Sequence, residues 1–154
     1  MSTSTPASAP LETDRDPLRA LGVELPDLVR LSAGDLPPGA RALLAHDRDM
    51  TSTLEAHHGE SIDLRPIVHR QVGSVLEREV VLVGRRTSRA FEYGAIRIHL
   101  DAFERPAIDD ILAGEQPLGA LLAIHQVDYS SAPFGFFGVG STPRIDSALG
   151  LQAP

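Results

Sequence analysis

The run Val75-Leu76-Glu77-Arg78-Glu79-Val80-Val81-Leu82-Val83, the turn Gly84-Arg85-Arg86-Thr87-Ser88-Arg89 and the run from Ala90 to Leu100 decide the fold. The first run is rich in Val and Leu. In the last, Phe91, Tyr93 and Ala95 lead into the alternation Ile96-Arg97-Ile98-His99-Leu100. Such residues fit a pleated, half-buried surface, and the polar turn between them suits a chain reversal, so the stretch predicts an antiparallel hairpin. Period two then places Leu76, Arg78 and Val80 on one face and Glu77, Glu79 and Val81 on the other. A guanidinium among apolar neighbours costs free energy unless an anion meets it. Two readings stay open at Arg78: a sheet arginine paired with a structural carboxylate, or a clamp whose paired donors match a ligand carboxylate.

Upstream, Ile62, Leu64 and Ile67-Val68 predict a further strand, with Pro66 marking an edge or a bulge. Before it, Asp49 is a fitting N-cap for a helix from Met50 to His58, which Gly59 ends. Ala40 to His46 reads as helix. Pro17 suits a first helical turn, with Leu18, Leu21 and Leu25 as its stripe, and Asp27 to Leu31 reads as a second helical turn. Downstream, Asp101 is the expected cap of a helix carrying Ile108 and Ile111-Leu112 up to Gly114. Ala120 to Ile124 is a further helix, and Phe134 to Val139 a short aromatic strand. Helices, then a hairpin-rich sheet, then helices give the α+β class: an antiparallel β-sheet flanked by helices. The expected organisation is a Ser/Thr/Pro/Ala-rich disordered tail over 1–16, one domain over 17–141 and an irregular tail over 142–154.

With 154 residues, 42% hydrophobic and 23% charged, the chain is sized for one core, filled by Leu, Val, Ile and Ala because aromatic residues make up only 5%. A net charge of −7 opposes general nucleic-acid binding, which needs a positive field to displace counterions. The chain has no cysteine, which excludes thiolate chemistry. No apolar run of spanning length occurs, and the N-terminus lacks the pattern of a signal peptide. The expectation is a soluble cytoplasmic protein without nucleic-acid or membrane partners.

Outside the hairpin, chemistry is sparse. Asp49-Met50-Thr51-Ser52-Thr53-Leu54-Glu55 is either an ordinary capped helix start or a place where helix amides and the Thr51 hydroxyl receive a polar ligand. Gln116-Pro117-Leu118-Gly119 is a turn whose glycine would also let a ligand approach the backbone. The adjacent His57 and His58 diverge on a helix, and no metal-ligand spacing occurs, so no metal site is expected. The arginine-rich turn Gly84–Arg89 is a solvated hairpin tip or, less simply, a phosphate site.

Met50-Thr51 with Leu54-Glu55, Arg78-Glu79-Val80-Val81-Leu82 with Gly84-Arg85-Arg86, and Pro117-Leu118-Gly119, in that order, resemble the chorismate pyruvate-lyase family, and most of all its actinobacterial 4-hydroxybenzoate-forming branch. The likeness runs from about Leu21 to Val139. It implies a six-stranded antiparallel sheet with helices around it, a buried site closed by helical flaps, and cofactor-free elimination of pyruvate from chorismate. Carried over, Arg78 holds the ring carboxylate as the catalytic residue. Met50 and Thr51 line the pocket at the first flap, Leu118 supplies a backbone contact, and Gly119 completes that turn.

The chain departs from the family at one point: no glutamate occurs after Glu115, whereas the family brings a late-strand glutamate into its site. The sheet is therefore expected to lack its last strands, leaving an edge that a second copy of the chain can cover. The departure motivates two alternatives. One is a cyclase-type natural-product enzyme that holds a larger apolar substrate in a reactive conformation. The other is a non-catalytic module binding small carboxylates.

Overall fold

The computed structural model describes residues 17–25 and 28–152. The tail expected over 1–16 lies outside them, as do Asp27, in the helical turn expected over 27–31, and the last two residues of the tail expected over 142–154. The elements run α1 (Pro17–Ala20), β1 (Val29–Leu31), α2 (Pro38–Leu44), α3 (Met50–His58), β2 (Ile62–Val72), β3 (Val75–Gly84), β4 (Ala90–His99), α4 (Arg105–Ala113), α5 (Leu118–Ile124), β5 (Phe136–Gly138) and α6 (Pro143–Leu149), with 3-10 turns at Ala33–Asp35 and Leu100–Ala102. The class is α+β, with antiparallel sheets flanked by helices. Among the described residues there are two sheets: β2-β3-β4 and the small pair β1-β5. This replaces the six-stranded sheet that the resemblance implies.

The hairpin forms as its sequence predicts. Val75 pairs with His99 and Arg78 with Ile96 across β3 and β4, while β2 runs antiparallel along the other edge of β3. β3 is central and buried on both faces, which is why its hydrophobic run is nearly unbroken. Pro66 sits beside a register shift in the edge strand β2, because proline cannot donate to a ladder and a bulge disposes of the extra residue.

One face of the sheet carries two apolar clusters. Leu76, Ile98, Leu100, Ile111 and Leu121 pack together toward α4 and α5. Leu54, Ile62, Val80 and Leu82 pack toward α3. Each fully buried aliphatic side chain contributes about 1.5–3 kcal/mol. Arg78 lies on β3 between Leu76 of the first cluster and Val80 of the second, on the same face. The opposite face carries Val81 and two buried acids, each paired with arginine. Glu77 meets Arg70 and Arg97, and Glu79, fully buried, accepts from Tyr93 and from the guanidinium of Arg144.

Four expectations change. Val29–Leu31 is a strand rather than a helical turn, because Val29 and Leu31 pair with Gly138 and Phe136 of β5; three residues with a long-range partner carry no periodicity that separates strand from helix. Asp101 lies in a 3-10 turn, and α4 starts four residues later behind Glu104, with Pro106 in its first turn. The helix expected from Ala120 begins at Leu118. The segment expected to be an irregular tail over 142–154 contains α6: Thr142 Oγ1 accepts from the Ile145 amide at 3.1 Å, Gly150 closes the helix at φ 68°, and Arg144 ties it to Glu79. No helix among the described residues is long and apolar enough to cross a membrane.

Candidate ligand cavity

Between the apolar clusters, the sheet face is the floor of a cavity of about 470 Å³. Arg78, Val80 and Leu82 from β3 and Glu92, Gly94 and Ile96 from β4 line it. The starts of α3 and α5 and the segment 129–131 close over it, contributing Asp49 to Thr51, Pro117 to Gly119, and Tyr129. Every residue singled out from the sequence, Met50, Thr51, Arg78, Leu118 and Gly119, is on this wall. The resemblance puts those residues in one pocket, and the antiparallel sheet and the two helix starts are what bring them together.

Arg78 is 1% exposed. Its Nε and Nη1 are buried with no hydrogen-bond partner among the described residues, and burial pulls its pKa below the usual arginine value. The acids beside it in sequence cannot neutralise it. Glu77 and Glu79 point to the other face, where other arginines hold them. Of the two readings of Arg78, pairing with a structural carboxylate finds no partner among the described residues.

The roof is built by hydrogen bonds and close packing. Asp49 caps α3, accepting from the Ser52 amide at 2.8 Å, and Tyr129 Oη donates to its other oxygen at 3.2 Å. Burial pushes the Asp49 carboxyl up, but these donors outweigh it and hold the group below the usual range. Thr51 is buried, and Met50 packs on the Leu54 cluster. Gly119 is where α5 touches α3: a Cβ there would collide with Asp49 Oδ1 and sit 2.9 Å from Thr51 Oγ1. Gly119→Ala therefore has to displace the capping carboxylate. The expected cost is about 1–2 kcal/mol, read as a lower chemical-denaturation midpoint with an unchanged slope.

One cavity residue escaped the sequence reading. Glu92 lies across from Leu82 on the cavity side, makes no hydrogen bond or ion pair among the described residues, and is pushed up to about 7 by burial. Alternation places Glu92 with Gly94 and Ile96 on the face that meets Leu82, Val80 and Arg78. The register shifts between Leu82 and Val83, so Phe91 is an extra residue and packs with Val80 and Leu82 on the same side as Glu92. Bulges re-aim side chains in this way. The available signal was a lone carboxylate in an otherwise apolar and aromatic strand.

The alternative anion site at the Gly84–Arg89 turn does not hold. Glu60 fills it, accepting from the amides of Arg86 at 2.8 Å and Thr87 at 3.1 Å and from Thr87 Oγ1 at 2.8 Å. No cluster of three or more His, Cys, Asp or Glu able to hold a metal occurs among the described residues. No protein-family model, no curated protein and no solved structure matches the chain.

Proposed function

We propose that the cavity binds a small ring carboxylate through Arg78 and that the protein acts as a chorismate-lyase-type enzyme, eliminating pyruvate to leave a hydroxybenzoate. The observation that carries this is the buried guanidinium facing the hollow, its Nε and Nη1 without a hydrogen-bond partner among the described residues. A carboxylate there would gain paired, charge-assisted hydrogen bonds in a site that shields them from water. In the reaction the ring loses a proton and the ether carbon–oxygen bond breaks, so the ring becomes aromatic. The enolpyruvate leaves as the enolate with the bond's electron pair and takes up a proton on carbon, balancing the one the ring lost, to become pyruvate. Holding the ring in one orientation and placing charge supply much of such a catalysis, and the chemistry needs no cofactor. The reading goes with a cytoplasmic enzyme whose partner is its small-molecule substrate, with a second copy of the chain covering the sheet edge.

A second reading keeps the cavity and enlarges the substrate. Leu64, Val80, Leu82, Phe103 and Leu122 give the hollow an apolar lining suited to a cyclase-type natural-product enzyme. The deciding experiment is pyruvate release from chorismate, followed with a coupled assay, on wild type and Arg78→Ala. Turnover that the substitution removes is the expected result. Carboxylate binding without any pyruvate would replace the lyase with a binding module, and neither binding nor turnover would leave the larger substrate as the better reading.

A further inference from the structure

We propose that Glu92 is the second ligand-binding group of the cavity, donating a hydrogen bond to an oxygen at the far end of the carboxylate ligand that Arg78 holds. The proposal rests on the reading of Arg78 given above, and it assigns to Glu92 a role that neither the sequence pattern nor the family resemblance supplies. Three observations carry it. First, Glu92 lines the same hollow as Arg78 and has no partner of its own among the described residues. Second, the two are set apart along one sheet face: Glu92 lies across from Leu82, four residues beyond Arg78 on β3, and its carboxyl sits beside Gly94, between the two rows, where one ligand can reach both groups.

Third, the floor between the two groups is cut flat by Gly94, which lies across from Val80. Its φ is not in the left-handed region, so the backbone does not demand glycine there. Any side chain would rise from the floor, its Cβ only 3.1 Å from Glu92 Oε1. Glycine weakens a strand interior, and close approach of a ligand is one reason to find it there.

The surroundings favour the carboxyl as a donor. The facing groups of β3, Val80 and Leu82, are uncharged. Asp49 and Tyr129 in the roof are bonded to each other, and His58 stacks on Phe91 rather than on the acid. Burial alone raises Glu92 to about 7, so the proton is present below neutrality.

The test is calorimetric titration with 4-hydroxybenzoate and with benzoate at pH 6 and pH 8. Wild type is expected to prefer the hydroxylated ligand by about tenfold at pH 6, where the carboxyl donates, and to keep a preference at pH 8, where the ionised carboxylate accepts from the ligand hydroxyl instead. Glu92→Leu should bind both ligands alike. Glu92→Gln, which still carries a donor, should keep the preference at both pH values. An undiminished preference in Glu92→Leu overturns the role of Glu92 and leaves Arg78 standing. Failure of wild type to bind either ligand overturns both.

Discussion

Replacing Arg78 with methionine is expected to make the ligand-free protein more stable and, in the same molecule, to remove its affinity for benzoate-type carboxylates. Arg78 is buried between two apolar clusters, and its Nε and Nη1 find no acceptor among the described residues. Folding therefore has to strip water from a cation with little in return. Methionine is flexible enough to fill the space between Leu76 and Val80 and carries no charge to desolvate. The gain is on the order of 1–3 kcal/mol, which at roughly 2–4 °C per kcal/mol for a chain of this size is a visible rise in Tm. Binding moves the other way. Losing a charge-assisted, bidentate contact of about 1.5–3 kcal/mol weakens a carboxylate ligand by roughly ten- to a hundredfold. Arg78→Lys separates charge from geometry: it keeps the cation but not the fork, so it should stay no more stable than wild type and bind with intermediate affinity. Thermal melts and titrations on the three proteins suffice. A loss of stability in Arg78→Met with unchanged affinity would mean that the guanidinium is a structural element and the cavity has another purpose.

The part of this site visible in the sequence is the part that local rules govern. Arg78 declares itself because a charge breaks the apolar face of a strand whose alternation is otherwise regular, and Asp49 because helix starts have a chemical signature. What stayed hidden depends on long-range pairing. Val29–Leu31 becomes a strand only because β5 lies beside it after more than a hundred intervening residues. α6 is held by Arg144 reaching the buried Glu79, a contact that no window around Thr142 contains. Glu92 shares its face with Gly94 and Ile96 by plain alternation, but that this face opens on a cavity depends on α3 and α5 lying over it, which the strand's own sequence does not contain. The late sequence lacks a glutamate, and the central hairpin places one, Glu92, on the cavity floor.

Glu92 also has a signature that does not depend on any ligand. Its carboxyl titrates at about 7 in the folded protein and at 4.5 when it is free of the fold, the shift being due to burial. A folded-state pKa above the unfolded one means that the native protein holds this proton more tightly. The associated stability is fully present below about 4.5, falls as pH rises, and is gone above about 7. At about 1.4 kcal/mol per pH unit, the difference is on the order of 3 kcal/mol. Glu92→Gln has no proton to lose, so its stability relative to wild type should grow between pH 5 and pH 8 by about 2–3 kcal/mol, which for a domain of this length is roughly 5–10 °C in Tm. The depressed carboxyls of Asp49, Glu60 and Glu79 act oppositely, stabilising above their unfolded pKa and losing that contribution as acid is added. Both proteins share them, so they cancel in the comparison. Denaturation curves of the pair at the two pH values measure the difference directly. A gap that stays constant with pH would place the Glu92 carboxylate in water, where it could not hold a proton at neutrality.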